Sequence, residues 1–315
     1  MYRIGVDLGG TNIKAGIMDE SYKILIKDSV PTGAERGFEA VVKDMAELVL
    51  NLMQRKSISE KDVIGVGIGS PGSIDPAKGV VTYSNNLDWN DAPLADELMK
   101  MLPFKVKVSN DANCATLGEV KAGAATNVDN VVLLTLGTGV GGGIVSEGKI
   151  LEGGHAGGME LGHTMLLRGG AACTCGRKGC LEAYASATAL IRQTKEAAKE
   201  NPESKIHEIC GNGLSKVNGK TAFLAAQMDD ETGKKVVSEY IGYLGDGIVD
   251  FINIFRPDVV LLSGGICNEG KNLTDPVNEF VQKNCYATAN NFIPKVVTAI
   301  LGNDAGLIGA AALVD

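Results

Sequence analysis

A strand–turn–strand pattern that occurs twice most strongly constrains the fold of this chain. The first copy, at residues 7–17, is a hydrophobic strand, the turn G-G-T-N and a returning strand. The second copy, at residues 135–145, follows the same plan around a turn that begins G-T-G. After each copy, hydrophobic runs with strand and helix periodicity alternate, which is typical of α/β domains. The repeat therefore predicts an α/β protein built from two related domains.

The hydrophobic periodicity also predicts the order of the elements in each half. In the first half we expect strands at residues 3–8, 13–18, 22–30, 63–68 and 105–108, and helices at 36–55, 92–101 and after 111. In the second half we expect strands at 131–136, 144–146, 149–151 and 258–262, and helices at 186–200 and 231–255. We predict an N-terminal α/β domain over residues 1–118 and a C-terminal α/β domain over residues 119–303. An Ala/Gly-rich helix within residues 304–315 is expected to pack back on the first domain.

Composition and charge exclude several classes of protein. At 315 residues the chain is long enough for two hydrophobic cores. Its 30 basic and 38 acidic residues give a formal charge of −8, whereas a nucleic-acid-binding surface needs clustered Lys and Arg. No apolar run reaches the roughly 18 residues of a membrane span, and residues 1–7 enter a strand without a signal-peptide pattern. Seven cysteines, an odd number, suit a reducing compartment. We expect a cytoplasmic protein that binds neither nucleic acid nor membrane.

The two glycine turns are candidate phosphate-binding sites. Backbone N–H groups of such turns can surround phosphate oxygens, and glycine lets the backbone approach without a Cβ atom. Thr11 and Thr138 add hydroxyl donors, and Asp7 at the end of the first strand is placed to hold Mg²⁺ directly or through water. A single turn of this kind is more simply a hairpin. Two matching turns, with a third S-G-G turn at residues 263–265, favour phosphate binding instead.

The second turn also satisfies G-x-G-x-x-G at residues 137–142, the pattern of dinucleotide-binding folds. In those folds a helix begins within the motif. Here the glycines lead into Ile144-Val145, which has the character of a strand. The dinucleotide interpretation therefore fails on its context.

The pair Asn110-Asp111 follows a predicted strand, where ligands gather in α/β sheets. An aspartate in this position can accept the proton of an alcohol that attacks a γ-phosphate. Asn and Asp are equally the preferred N-cap residues of helices, and a helix is expected to begin here. From these residues alone both interpretations remain open.

The segment 160–182 contains the strongest local signal, a set of candidate metal ligands. His163 precedes a C-x-C-x4-C pattern formed by Cys173, Cys175 and Cys180, with glycines that suit a tight loop. Three thiolates and one imidazole complete a tetrahedral zinc site. Free thiols, or a disulfide with one thiol left over, are the alternatives. Glu160 and Glu182 flank this set without being needed by the metal, so they are free to face a polar ligand.

Together these segments resemble the ROK (repressor, ORF, kinase) family, in an arrangement most similar to its bacterial glucokinases. The motifs are D-L-G-G-T at residue 7, L-G-T-G-V-G at 136, E-L-G-H at 160, C-T-C-G-R-K-G-C-L-E at 173 and L-S-G-G at 262. The resemblance covers essentially the whole chain. It implies the actin-like ATPase fold, with two RNase H-like domains and a cleft between them. It also implies ATP-dependent phosphorylation of a hexose, with glucose expected first, at the 6-hydroxyl.

The resemblance assigns a role to each matching residue. Asp111 would be the general base. The sugar would be bound by Gly72, Asn110, Asp111, Glu160, His163 and Glu182. The nucleotide would be bound by Asp7, Gly9, Gly10, Thr11, Asn12, Lys14, Gly137, Thr138, Gly139, Gly264 and Gly265. A structural zinc ion would be held by His163, Cys173, Cys175 and Cys180, and ATP would act with Mg²⁺.

Several activities share these motifs. Kinases of N-acetylglucosamine, N-acetylmannosamine, fructose and allose belong to the same family, and the loops at residues 70–73, 85–89 and 152–159 are expected to set the sugar preference. Some members are sugar-sensing repressors with an N-terminal helix-turn-helix. Here the first phosphate turn comes directly after residue 7 and the net charge is negative, so a kinase is expected. The resemblance also implies a homodimer.

Overall fold

The computed structural model describes residues 1–153, 159–211, 213–286 and 292–315. Its strands are β1 Tyr2–Leu8, β2 Asn12–Met18, β3 Ile24–Pro31, β4 Val63–Ser70, β5 Ser73–Asp75, β6 Val80–Ser84, β7 Trp89–Ala92, β8 Val106–Asn110, β9 Val131–Leu136, β10 Val140–Ser146, β11 Lys149–Ile150, β12 Val259–Ser263 and β13 Lys295–Thr298. Its α-helices are α1 Phe38–Lys56, α2 Leu94–Met99, α3 Asp111–Ala122, α4 Glu182–Ala185, α5 Ala187–Glu200, α6 Ile206–Ile209, α7 Thr221–Gln227, α8 Glu231–Phe255, α9 Lys271–Asn284 and α10 Ala305–Ala312.

The described chain divides into two compact units. The first unit contains Met1–Val131, Gly143–Met159 and Ala299–Asp315, and the second contains Val132–Gly142 and Glu160–Thr298. The chain therefore passes from one unit to the other several times. In the described part of the chain, no helix has both the length and the apolar character that crossing a membrane requires.

The two main sheets have the same strand order. The first sheet runs β3-β2-β1-β4-β8 and the second runs β11-β10-β9-β12-β13. In the first sheet β1 and β2 form an antiparallel hairpin, whereas β4 and β8 are parallel to β1. The strand–turn–strand repeat seen in the sequence is thus the central hairpin of each sheet, and the predicted repeat of α/β units is confirmed.

The core of the first unit follows from the helical spacing of apolar residues. Along α1 the residues Val41, Val42, Met45, Val49 and Leu52 are buried, and each is at most 1% exposed. They form one hydrophobic cluster with the buried side chains of β1, β2 and β4. The amphipathic pattern of α1 is therefore satisfied by burial against this sheet.

Helix α10 packs against α3 at very short range because both helices carry glycine at the crossing. A Cβ atom on Gly309 would lie 1.6 Å from the carbonyl oxygen of Cys114, and one on Gly118 would lie 2.2 Å from that of Ala305. Leu307 and Ile308 are buried in a cluster that also contains Leu117. The last helix therefore lies directly on the helix that begins at Asp111.

The structure corrects several sequence-based boundaries. A small antiparallel sheet of β5, β6 and β7 precedes α2 and was not predicted. The helix predicted at 92–101 is shorter and spans Leu94–Met99. Trp89 lies in β7, is 4% exposed, and packs edge-on against Phe38 at 4.9 Å between ring centroids. Helices α7 and α9 and strand β13 were not predicted. The predicted glycine loop is also shorter, because β10 already begins at Val140.

Candidate active site

The first glycine turn joins β1 to β2 and is closed by a hydrogen bond from the N–H of Gly9 to the carbonyl oxygen of Asn12, at 3.0 Å. Gly10, Thr11 and Asn12 are exposed, so the turn is open to a ligand. Asp7 and Lys14 are partners across the hairpin, and their side chains form an ion pair of 3.2 Å. The predicted phosphate turn therefore has a carboxylate and an ammonium group at its base.

Three neighbouring parallel strands of the first sheet end at the same edge. The register pairs Asp7 of β1 with Gly69 of β4, and Ser70 of β4 with Asn110 of β8. Because carboxyl ends of parallel strands form the usual ligand edge of an α/β sheet, these residues are in the expected place for chemistry. The sequence prediction that Asn110 lies at a strand end is confirmed.

Asn110 caps helix α3, which settles one of the two interpretations left open by the sequence. Its side-chain oxygen accepts hydrogen bonds from the N–H groups of Ala112, at 2.8 Å, and Asn113, at 3.4 Å. Its amide nitrogen donates to the carbonyl oxygen of Gly72 at 3.1 Å. Asp111 is therefore not the cap residue, and its exposed carboxylate lies in the first turn of α3.

Gly72 has a backbone conformation that only glycine adopts readily. Its φ is 103°, and a Cβ atom there would lie 2.1 Å from the carbonyl oxygen of Tyr83. The hydrogen bond from Asn110 to the Gly72 carbonyl fixes this turn against the end of β8. Two of the predicted sugar ligands, Gly72 and Asn110, are thus in direct contact.

The second glycine turn joins β9 to β10 and is closed by a hydrogen bond from the N–H of Gly137 to the carbonyl oxygen of Gly139, at 3.0 Å. Thr138 at its tip is exposed. Gly264, after β12, lies against the end of β9, because a Cβ atom on it would be 2.3 Å from the Leu136 carbonyl oxygen. The structure therefore brings the second and third predicted phosphate turns together within the second unit.

The predicted zinc ligands form one cluster. The imidazole of His163 and the sulfurs of Cys173, Cys175 and Cys180 lie within 4.8 Å of one another. Nδ1 of His163 is 3.6 Å from the Cys173 sulfur, and the Cys175 and Cys180 sulfurs are 3.7 Å apart. A tetrahedral zinc ion with Zn–S of about 2.3 Å and Zn–N of about 2.0 Å sets its ligand atoms about 3.5–3.8 Å apart. The cluster fits zinc in number, chemistry and spacing.

Close packing explains why a glycine precedes His163. A Cβ atom on Gly162 would lie 2.0 Å from the carbonyl oxygen of Val140. The short turn Leu161–His163 therefore rests directly on β10, while Glu160 at its start is exposed. The E-L-G-H motif thus fixes His163 to the strand that follows the second glycine turn.

Glu182 connects the loop that contains the candidate metal ligands Cys173, Cys175 and Cys180 to the second glycine turn. One carboxylate oxygen accepts a hydrogen bond from the N–H of Val140 at 3.0 Å. The other accepts from the Thr174 hydroxyl at 2.9 Å and lies 3.4 Å from the Cys173 sulfur. The sequence had left Glu182 free to face a ligand. The structure shows that part of its hydrogen-bonding capacity is used within the protein.

The sequence interpretation missed a second carboxylate next to Asn110-Asp111. Glu152 accepts hydrogen bonds from Ser109 at 2.9 Å and from Asn113 at 3.1 Å. Burial raises the pKa of the Glu152 carboxyl, which its two hydrogen bonds partly oppose. No local pattern marks these contacts, because they join residues about 40 positions apart. Of the 152–159 loop expected to shape sugar preference, residues 154–158, and with them His155, lie outside the described residues.

The chain is similar to known sugar kinases over its whole length. A model of the ROK family matches residues 3–315. The chain is 39% identical over 316 residues to the glucokinase of Thermotoga maritima, an alignment that covers 99% of this chain and 96% of that protein.

Two solved structures are also similar. One is a ROK family glucokinase from Streptomyces griseus in complex with glucose and AMPPNP, with a TM-score of 0.79, 33% identity and 99% of both chains covered. The other is a ROK hexokinase from Thermus thermophilus, with a TM-score of 0.80, 34% identity, and 99% of this chain and 97% of that chain covered. These likenesses confirm the actin-like ATPase fold predicted from the motifs. On the match of the family model from residue 3 to residue 315, this chain belongs to the ROK family.

Proposed function

We propose that the protein is an ATP-dependent glucokinase that transfers the γ-phosphoryl group of ATP to the 6-hydroxyl of glucose. The observation that carries this proposal is the position of Asp111, an exposed carboxylate in the first turn of α3, at the ligand-binding edge of the first sheet. The similarity to glucokinases over the full chain supports ATP and glucose as the substrates.

In the proposed reaction Asp111 orients the 6-hydroxyl and accepts its proton as the oxygen attacks the γ-phosphorus. The bond between the γ-phosphorus and the ADP oxygen breaks, and ADP leaves with the electron pair. A primary alcohol is a very weak acid, so the proton moves during the attack rather than before it. Asn110 holds the start of α3 by its two backbone hydrogen bonds, which fixes the orientation of the neighbouring Asp111.

We assign the sugar hydroxyls to Asn110, Glu182 and Glu160. In the first unit, Asn110 keeps one amide hydrogen after donating to Gly72, so it can still donate to a hydroxyl. In the second unit the carboxylate of Glu182 retains acceptor sites after its hydrogen bonds to Val140 and Thr174. Glu160, which begins the E-L-G-H motif, is exposed and is assigned to the same role.

His163 is assigned to both the zinc ion and the sugar. Its Nδ1 faces the cluster of cysteine sulfurs, which leaves Nε2 for a hydroxyl. A metal-bound histidine typically donates a hydrogen bond through its second ring nitrogen. Four protein ligands leave no open position on zinc, so the ion would hold the loop in shape and take no part in the reaction.

The glycine turns are assigned to the phosphate groups of ATP. In the first unit these residues are Asp7, Gly9, Gly10, Thr11, Asn12 and Lys14. In the second unit they are Gly137, Thr138, Gly139, Gly264 and Gly265. Their N–H and hydroxyl groups would bind phosphate oxygens, and Lys14 would add a positive charge. Mg²⁺, which Asp7 would hold directly or through water, supplies neutralisation of the phosphate charge. We also propose that the protein is cytoplasmic and forms a homodimer. Sedimentation analysis tests the dimer.

A coupled ADP-release assay tests the proposed function. We expect turnover with glucose to exceed that with N-acetylglucosamine, N-acetylmannosamine, mannose and fructose. The Asp111→Asn variant serves as the control for contaminating kinases, since it should release no ADP above background. Preferred turnover with another sugar would replace glucose as the substrate. Sugar binding without turnover on any sugar would indicate a sugar-sensing regulator instead.

A further inference from the structure

The junction between β8 and α3 is bridged by one side chain from a distant part of the chain. Ser109 lies one residue before Asn110, and Asn113 lies two residues after Asp111. Glu152, after β11, accepts a hydrogen bond from each of them, one on each carboxylate oxygen. The amide nitrogen of Asn113 also lies 3.4 Å from the Ser109 hydroxyl. The three side chains form a closed triangle, and two of its members, Ser109 and Asn113, flank the candidate catalytic pair in the sequence.

Two members of this triangle are buried and the third, Glu152, is partly buried. Ser109 and Asn113 are both 0% exposed. Placing a carboxylate beside them is costly unless hydrogen bonds compensate, and here the two donors are neutral groups. Burial accordingly raises the pKa of the Glu152 carboxyl. An amide side chain could bond the same two groups without placing a charge there, so the position of this carboxylate calls for a functional explanation.

The location of Glu152 in the chain supplies such a functional explanation. Its segment, Gly143–Met159, belongs to the first unit, and the chain then continues into Glu160 and His163. Glu152 therefore joins the β8–α3 junction to the segment that leads directly to the E-L-G-H motif. On the proposed function, the side chain of Glu152 contacts the two residues that flank the pair containing the general base.

We propose that Glu152 is a positioning residue, which holds the Asn110-Asp111 junction in the orientation that phosphoryl transfer requires. The proposal rests on the proposed function of the protein as a glucokinase. Glu152 acts through Ser109 and Asn113 and does not itself touch the reacting atoms. Because misplacement of a catalytic group by about 1 Å can reduce the rate by up to about 100-fold, loss of this bridge should affect kcat more than substrate binding.

The test compares Glu152→Gln with Glu147→Gln, which changes an exposed glutamate in the turn between β10 and β11 of the same segment. The amide at position 152 can still accept from Asn113, but it replaces the charged acceptor that faces the Ser109 hydroxyl with a neutral donor, so that hydrogen bond must reverse its direction and both bonds lose their charge. We expect Glu152→Gln to lower kcat about tenfold, with the KM for ATP unchanged and the KM for glucose within about threefold. Glu147→Gln should match the wild-type protein.

A double variant in which the carboxylate and the amide exchange places provides a measurement that a purely structural role would not affect. Combining Asn113→Asp with Glu152→Gln restores one carboxylate–amide hydrogen bond with the same net charge. We expect this double variant to recover most of the lost kcat. Ser109→Ala removes the hydrogen bond from Ser109 to Glu152 without altering any charge and should lower kcat several-fold. This variant tests the role of Glu152 if Glu152→Gln does not fold.

The outcomes separate two kinds of failure. If the wild-type protein phosphorylates glucose, and Glu152→Gln and Ser109→Ala are folded with wild-type kcat, the role of Glu152 is wrong while the proposed function stands. If these variants lose thermal stability and the fall in kcat is not recovered by the double variant, Glu152 is only structural. If the wild-type protein phosphorylates no sugar, it is the proposed function that fails.

Discussion

The two main sheets share one strand order, but different residues follow their last strands. In each, a central hairpin carries a glycine turn, and the fourth strand of the order, β4 or β12, is followed by a glycine with φ of 103°. The sheets differ after the fifth strand. In the first sheet β8 runs directly into α3 at Asn110-Asp111, whereas in the second β13 ends at Thr298 and the chain returns to the first unit. The repeated scaffold thus provides phosphate-type turns twice, and the candidate base belongs to one copy alone.

The largest expected effect comes from a substitution at Asp111, directly after the fifth strand of the first sheet. Asp111→Asn should lower kcat by at least about 100-fold, because the amide cannot accept the proton of the 6-hydroxyl. Glucose binding, measured by isothermal titration calorimetry, should stay within a few-fold of the wild-type value. Asp96→Asn, in the first turn of α2, is the matched control and should leave kcat unchanged. Near-normal turnover of Asp111→Asn would refute the assignment of the base.

The loop that contains Cys173, Cys175 and Cys180 belongs to the second unit. Loss of one of these cysteines is expected to have the next largest effect. Cys175→Ser should reduce bound zinc from one ion per chain to a small fraction of that, because three ligands hold the ion far more weakly than four. We expect a lower Tm and a raised KM for glucose, since His163 and Glu182 both contact this loop. Metal content is measured by mass spectrometry. Cys285→Ala, outside the cluster, should keep full zinc. A Cys175→Ser protein with full zinc and normal KM would contradict the predicted site.

Each unit also has an acidic side chain that binds several backbone N–H groups, and these two differ in burial. Glu119 is 0% exposed and accepts hydrogen bonds from the N–H groups of Ala124, Ile300 and Leu301 at 2.8–3.0 Å. In the second unit Asp230, which is more exposed, accepts from Gly233 and Lys205. Glu119→Gln should cost about 3 kcal/mol of unfolding free energy, and Asp230→Asn about 1 kcal/mol.

Urea denaturation measures both variants, and hydrogen exchange locates the damage. In Glu119→Gln the amide of Ala124 should exchange faster, because the single oxygen of glutamine can keep the bonds to Ile300 and Leu301 while its NH2 group faces the Ala124 N–H. The amides of Gly233 and Lys205 should be unchanged. Equal losses of stability in the two variants would show that burial does not set the difference between these carboxylates.

The smallest effect concerns the two glycines with φ of 103°. Gly72→Ala should raise the KM for glucose about tenfold, because the new Cβ atom would collide with the Tyr83 carbonyl and displace the turn that Asn110 contacts. Gly264→Ala should instead raise the KM for ATP by a similar factor, since its collision is with Leu136 beside the second glycine turn. Steady-state kinetics with each substrate varied separately distinguishes the two. If both variants affected the same KM, the division of roles between these turns would be wrong.

Much of the site was predictable because its signals are local in sequence. The candidate zinc ligands follow a spacing that few other arrangements explain, and the structure brings all four together. The position of Asn110 at a strand end follows from the apolar run that precedes it, and its capping role from the preference of helix N-termini for asparagine.

What the sequence did not reveal depends on contacts between distant segments. The hydrogen bonds of Glu152 to Ser109 and Asn113, and of Glu119 to Ile300 and Leu301, have no local pattern. The sheet of β5, β6 and β7 was missed because its strands are short and rich in polar residues, so their period-2 alternation is weak. Such short strands form because a neighbouring core covers one face, and that information is tertiary.

The glycine contact between α3 and α10 has a consequence for synthesis of the protein. Because Cys114 and Gly118 lie against Ala305 and Gly309, the helix that begins at Asp111 reaches its final packing only after almost the whole chain has left the ribosome. All segments of the second unit lie between residues 132 and 298 and are available earlier. A chain truncated after residue 298 would therefore contain every segment of the second unit, with the candidate metal ligands, but would leave α3 without its packing partner α10.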